Sequence, residues 1–371
     1  MITVLIFLAI LSLLVFVHEA GHFITAKKAG MAVEEFGFGF PPRLWGFKKG
    51  PTVYSINWIP LGGFVKIKGE NGEARNEADS FSAQTFSKKA IVLSAGVLMN
   101  IVLAFVLLSI GFMVSLPSAV SDASNNQGQV VGELKVQVSS VMKDSPAEKA
   151  GLAAGDWIKK IDNQEITTSP ELQNYVKIHS DQNLAVTYSR GGGSDQTAEL
   201  KPEALSITNG QKVLGVNLVQ AGAVRYGFWQ SWYHGAVATV NLLWQIIYSF
   251  YDLIRSLVTG QGLSVDLSGP VGVAYMTGEA ARLGFTHLLY FAALLSINLA
   301  VINFVPFPAL DGGRLLFVFI EKLRRKPNNQ KVEEIIHGIG FSLLMLMVAI
   351  ITYRDVLRYS GDFIGKIKNL F

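Results

Sequence analysis

The sequence predicts a polytopic α-helical membrane protein with one inserted, water-soluble α+β domain. Half of its 371 residues are hydrophobic and only 16% are charged, against about 25% in soluble globular chains. The apolar residues gather in four long runs, and the mean hydropathy is +0.35. That composition excludes a disordered or nucleic-acid-coating chain, even with a net charge of +4 and a pI near 9.0. The length suits two ordinary domains. Cysteine is absent, which excludes disulfides and thiolate sites and leaves His, Asp and Glu as possible metal ligands.

The four runs extend from Ile2 to about Ala26, from about Ala90 to Leu116, from about Phe285 to Val305 and from about Ile335 to Tyr353. Each is long enough for a hydrocarbon layer of about 30 Å. The first lacks the basic n-region of a secretory signal and passes into Lys27-Lys28 without a good cleavage site, so it reads as a retained span. Charge sets the orientation. Lys27 to Lys89 holds ten basic and six acidic residues, and Arg314 to Lys331 holds six and one. From Pro117 to Gly284 the balance reverses, twelve to fifteen. The two basic loops are expected in the cytoplasm, and the large loop and both termini outside. The basic pI thus follows from topology, and no nucleic-acid partner is needed. Residues 1–116 form the first two spans, 122–222 the outer domain, 226–284 an amphipathic surface helix and connector, and 285–371 the last two spans with a C-terminal tail. The surface helix is expected over Phe228–Leu257, whose Trp and Tyr residues favour a membrane–water boundary.

Within the outer loop, long apolar runs give way to short alternating segments such as Lys135-Val136-Gln137-Val138. Pro146 suits the first turn of a helix, and Gly151 and Gly155 suit its end and the following turn. Asp162-Asn163 is turn chemistry between short strands, Ser169-Pro170 opens a second helix, and Arg190 to Gly193 closes a hairpin. The stretch SPAEKAGLAAGDWIKKI resembles the signature of PDZ domains of the bacterial protease type, and only one copy is present. The resemblance implies binding of an extended peptide beside the domain's sheet.

The chemistry is expected inside the membrane. His18-Glu19-Ala20-Gly21-His22 is an HExxH motif. On a helix its two histidines share one face and can share a metal, with Glu19 placed to take a proton from water. Two His and a Glu near the end of an apolar span are costly unless paired or coordinated. His18 lies about 24 Å along a helix starting at Ile2, at a rise of ~1.5 Å per residue, which puts the site towards the cytoplasmic side. A zinc hydrolase needs a third protein ligand. His179 belongs to the outer domain, and His234 and His287 lie near the outer face. Asp311 sits at the cytoplasmic end of a span, in NFVPFPALDGG, where Pro306 and Pro308 interrupt the helix.

HEAGH in a first span and NFVPFPALDGG in a later one resemble the site-2 protease family of zinc intramembrane proteases. The single PDZ-like domain between the second and third spans, and LSGPVGVA at Leu267–Ala274, resemble its bacterial sigma-E regulator branch. The resemblance covers nearly the whole chain. It implies Zn2+ held by His18, His22 and Asp311, with Glu19 as general base and Asn303 holding substrate backbone beside Pro306 and Pro308. In the second span the family often has GPxxN. Here Gly96 and Asn100 are kept without the Pro, and the resemblance implies a substrate-binding Asn100.

A helical substrate hides its scissile amide and must be unwound before cleavage. Arg43–Phe47, the turn Lys48–Pro51 and Val53–Trp58 read as a hairpin, and Pro60–Ile67 adds a strand. Gly62 and Gly63 in it would let a substrate backbone come close. The resemblance implies that this loop, about 34–69, re-enters the membrane. The implied localisation is a bacterial inner membrane. The implied substrates are single-span membrane proteins, such as anti-sigma factors or signal-peptide remnants. The rival readings are a catalytically inactive membrane scaffold presenting the PDZ domain, against which the intact Glu19 and ligands argue, and a metal transporter.

Overall fold

The computed structural model describes residues 2–119, 128–190, 193–204, 211–260 and 268–368. The chain divides into two compact units, residues 1–108 with 235–371, and residues 109–234. Gly191 and Gly192 of the expected hairpin, Leu267 and the expected domain start at 122 lie outside the described residues.

Helix α1 (Ile2–Lys28) is one uninterrupted apolar run. It ends where Gly30 takes a left-handed φ of +81°, a conformation glycine adopts without strain. Strands β1 (Val33–Lys49) and β2 (Thr52–Ile67) follow, then α2 (Phe86–Val114). The hairpin is present, with Arg43 opposite Asn57 and Phe47 opposite Tyr54. The start of β1 adds what the sequence reading left out. Phe36 has Val65 on one side and Tyr54 on the other, so the two long strands fold into four short runs. Phe40, Leu44, Trp45, Phe47, Trp58 and Ile59 are exposed along this sheet.

The 109–234 unit is built on one sheet. Its strands are β3 (Leu116–Ala119), β4 (Gln129–Val141), β5 (Trp157–Ile161), β6 (Gln164–Glu165), β7 (Leu184–Ser189) and β8 (Asp195–Leu200). The short β9 (Glu203–Ala204) and β10 (Lys212–Val213) pair with each other, and β11 (Val216–Arg225) completes the main sheet. The order is β3-β11-β4-β5-β7-β8, with β6 beside β5. Helix α3 (Pro146–Lys149) starts at Ser145, whose hydroxyl accepts from Glu148 N–H. Helix α4 (Ser169–Ile178) starts in a capping box of Thr168 and Glu171. Val136, Ile158, Ile161, Leu172, Leu184 and Val186 form the centre of the core.

Helix α5 (Phe228–Thr259) leads to α6 (Pro270–Leu283), α7 (Phe285–Phe304), α8 (Asp311–Arg324) and α9 (Gln330–Lys368). Helix α7 stops because Val305, preceding Pro306, is held extended at φ −60°, ψ 134°. Helix α8 resumes at Asp311 in close contact with that break. A Cβ on Gly312 would lie 2.3 Å from the Val305 carbonyl oxygen, and one on Gly313 would lie 2.2 Å from that of Phe307. The two glycines therefore let the chain fold back on itself directly after Asp311. Among the described residues, five helices are long and apolar enough to cross a membrane by length and composition. The four expected spans are among them, and Phe228–Ser256 is the fifth.

Candidate active site

His18 and His22, one helical turn apart on α1, are both buried and point their Nε2 atoms to one place. These atoms lie 3.2 Å apart. Asp311, at the first turn of α8, brings Oδ2 within 2.8 Å of His18 Nε2 and 3.3 Å of His22 Nε2. Among the described residues this is the group of His and carboxylate side chains whose ligand atoms converge closely enough to hold a metal ion. Donors sharing one tetrahedral zinc at about 2.0–2.1 Å stand roughly 3.3 Å from one another, so the spacing fits. Glu19, next to His18 in the chain, is within electrostatic reach of His18, His22 and Asp311.

Helix α2 shapes the other wall. A Cβ on Gly96 would lie 2.4 Å from His22 Nε2 and 2.6 Å from His18 Nε2, so the glycine keeps open the space the three donors face. On either side of it the same helix orients the imidazoles. His22 Nδ1 is 2.8 Å from the Val92 carbonyl oxygen. That oxygen only accepts, so Nδ1 carries a proton, which leaves Nε2 as the nitrogen a metal would take. Asn100, fully buried, places Nδ2 3.2 Å from His18 Nδ1. The sequence marks position 96 only through the Gly and Asn kept from the GPxxN pattern, four residues apart on one helical face.

The Asp311 loop has an anchor that the sequence reading overlooked. His337 on α9 accepts the Ala309 N–H at Nδ1, 2.8 Å away, where Ala309 holds a left-handed φ of +76°. Arg314, next on α8, pairs with Glu70 from the loop after β2. Asn303 lies half-buried in the last turn of α7, Pro306 is exposed and Pro308 is half-buried. Gly62 and Gly63 are buried against α1. A Cβ at Gly62 would meet the Val15 side chain at 2.5 Å, and one at Gly63 would meet Phe16 at 3.3 Å. Ser12 also donates to the Pro60 carbonyl. The sheet thus docks on α1 one to two turns before His18.

A model of peptidase family M50 matches residues 6–347. The chain belongs to peptidase family M50. A putative zinc metalloprotease of Clostridium perfringens is 34% identical over 349 residues, covering 93% of this chain and 96% of that protein. The regulator of sigma-W protease RasP of Bacillus subtilis is 29% identical over 437 residues, covering 96% and 98%. Among solved structures, the PDZ domain of an SdrC-like protein from Listeria monocytogenes is 28% identical, with a TM-score of 0.21, over 24% of this chain and 92% of that one. The M50 chain described here is therefore a peptidase with several apolar helices.

Proposed function

We propose that this M50 peptidase is a zinc-dependent intramembrane endopeptidase that cuts peptide bonds in or near transmembrane segments of single-span membrane proteins. The convergence of His18, His22 and Asp311 on the space opened by Gly96 carries the reading. The donor set of two imidazoles and a carboxylate, with no thiolate, suits a catalytic zinc site with a position left for water or substrate. Bound between these side chains, zinc would polarise the scissile carbonyl and make water acidic enough to attack near neutral pH.

The chain's own groups do the rest. Glu19 takes a proton from the attacking water and delivers it to the departing amide nitrogen as the C–N bond breaks. Asn303, beside the helix break at Pro306 and Pro308, holds the unwound backbone of the substrate. The β1–β2 sheet, docked on α1 next to the site, offers strand edges for β-addition and exposes an aromatic surface suited to membrane re-entry. Gly62 and Gly63 lie in the strand that would lead the substrate past α1. The outer domain acts as a PDZ module that screens substrates, excluding those whose outer part is still large. Pre-cleaved anti-sigma factors and signal-peptide remnants fit this scheme, in a bacterial inner membrane with both termini outside.

A parity argument supports four spans. The site lies towards the C-terminal end of α1 and shortly after the C-terminal end of α7. The two helices thus cross in the same sense, so an odd number of crossings separates them. Helix α2 is one. Helix α6 has 14 residues, about 21 Å at ~1.5 Å per residue, short of a ~30 Å core. A crossing by α5 would reverse α7, so α5 lies along the outer surface. Its exposed Trp229, Tyr233, Trp244, Tyr248 and Tyr251 suit that boundary.

Glu19→Gln in the full chain tests the mechanism. It is expected to keep bound zinc and to lower cleavage of a single-span reporter by about 10²–10⁴-fold, the usual contribution of a general base. Undiminished cleavage overturns the assignment. Zinc retained with wild-type cleavage lost also separates the protease from a scaffold or a transporter.

A further inference from the structure

Both metal-site histidines are held from behind by α2, but by unlike partners. His22 Nδ1 faces the Val92 carbonyl, a fixed acceptor that sets one tautomer. His18 Nδ1 faces the Asn100 carboxamide, which can present either a donor or an acceptor. With Nδ2 turned towards His18 Nδ1, the ring nitrogen accepts, and His18 Nε2 carries the proton it donates to Asp311 Oδ2 at 2.8 Å. In that arrangement Asn100 Oδ1 is buried without a hydrogen-bond partner. The two ends of the carboxamide fill nearly the same space, so either can face the ring.

Binding a metal reverses the demand. His18 Nε2 must then be bare, Nδ1 must carry the proton, and the ring needs an acceptor behind it. Half a turn of the Asn100 carboxamide supplies Oδ1 in the place of Nδ2, without moving the backbone. The backbone is pinned, since the Asn100 carbonyl accepts from Ser296 Oγ of α7 at 2.8 Å.

We propose that Asn100 is a positioning residue for His18. With Oδ1 presented to the ring as acceptor, its carboxamide holds His18 as the Nδ1–H tautomer that ligates through Nε2. It touches neither substrate nor metal. This departs from the substrate-binding role that the sequence suggests for Asn100, and it rests on the metal site proposed above.

The experiment compares full-length wild type with Asn100→Leu, Asn100→Asp and His18→Ala, purified in detergent. The zinc dissociation constant is read by chelator competition, and the ligand field is read from the visible spectrum of the Co2+-substituted protein. Asn100→Leu, similar in size but without an acceptor, is expected to weaken zinc binding by about 10–100-fold, the usual effect of losing such a partner. It should also shift the Co2+ bands. Asn100→Asp keeps an acceptor and has lost the donor, so it is expected to restore zinc binding to within about threefold of wild type.

Wild-type zinc affinity in Asn100→Leu, with the loss confined to cleavage, overturns the proposal in favour of a substrate contact. Loss of zinc binding in Asn100→Asp also overturns it, and that arm stands if the Leu variant does not fold. His18→Ala isolates the premise. If it retains zinc, the metal assignment itself fails. If it loses zinc and Asn100→Leu does not, only the role of Asn100 falls.

Discussion

Gly96 shows how much a missing side chain can decide. The nearest atoms to its absent Cβ are the two imidazole nitrogens that face the proposed metal. Gly96→Ala is expected to leave helix α2 intact, since Ala is the better helix former by about 1 kcal/mol, while filling the space between the donors. Purified Gly96→Ala should hold less than about a tenth of the wild-type zinc at unchanged helicity, a loss of roughly tenfold or more in occupancy. Stoichiometric zinc in that variant would show that the metal sits elsewhere. The convergence of His18 and His22 on α1 was legible because HExxH sets two imidazoles one helical turn apart. Asp311 was legible from its depth and the broken helix before it. Gly96 carries no chemistry of its own and shows only as the glycine kept from a family pattern, while His337 acts through Ala309 from 28 positions away and does not announce itself in the sequence.

At the scale of elements, the turns and caps of the outer unit follow from local sequence. Ser145 and Thr168 cap their helices, Pro146 and Pro170 stand in the first turns, and Asp162 makes the turn between β5 and β6 with a positive φ. The GD of the signature has a reason that only the fold discloses. Asp156, fully buried, accepts two bonds from Arg190, at 2.6 and 2.8 Å, and one from Ala153 N–H. Arg190 in turn donates to the Gly151 carbonyl. Breaking a fully buried pair costs about 3–5 kcal/mol. Arg190 is half exposed, so Asp156→Ala is expected to cost nearer 2–3 kcal/mol. In the full chain this should appear as a lower urea midpoint for protease resistance of residues 128–225, with little change in zinc content. An unchanged midpoint would mean that the pair is idle. The LSGPVGVA element is explained in a similar way. Asp355 of α9, buried, accepts the Gly272 N–H at 2.7 Å at the start of α6, and a Cβ on Gly269 or Gly272 would lie 3.0 Å from its carboxylate. The start of β1 was illegible because Glu34, Glu35, Gly37 and Gly39 dilute its strand pattern.

At the scale of the molecule, composition and charge gave a membrane protein, and the count of crossings is the part that length and hydropathy leave ambiguous. The absence of native cysteine allows a clean test, because a single introduced thiol is labelled without background. Lys326→Cys, between α8 and α9, is expected to react only from the cytoplasmic side, whereas five crossings would expose it outside. Labelling by an impermeant reagent from the outer face would sink the four-span arrangement.

The contact between His18 and Asp311 joins positions 293 apart in the chain. An ion gripped there would act as a cross-link as well as a reagent, closing a ring through nearly four-fifths of the polypeptide and fixing the start of α8 to α1. By linkage, an ion at a thousandfold excess over its dissociation constant would deepen the folded state by about 4 kcal/mol. The proposed metal site would then also be the clasp that keeps the two ends of the membrane unit in register, and an empty site would be a looser protein as well as an inactive one.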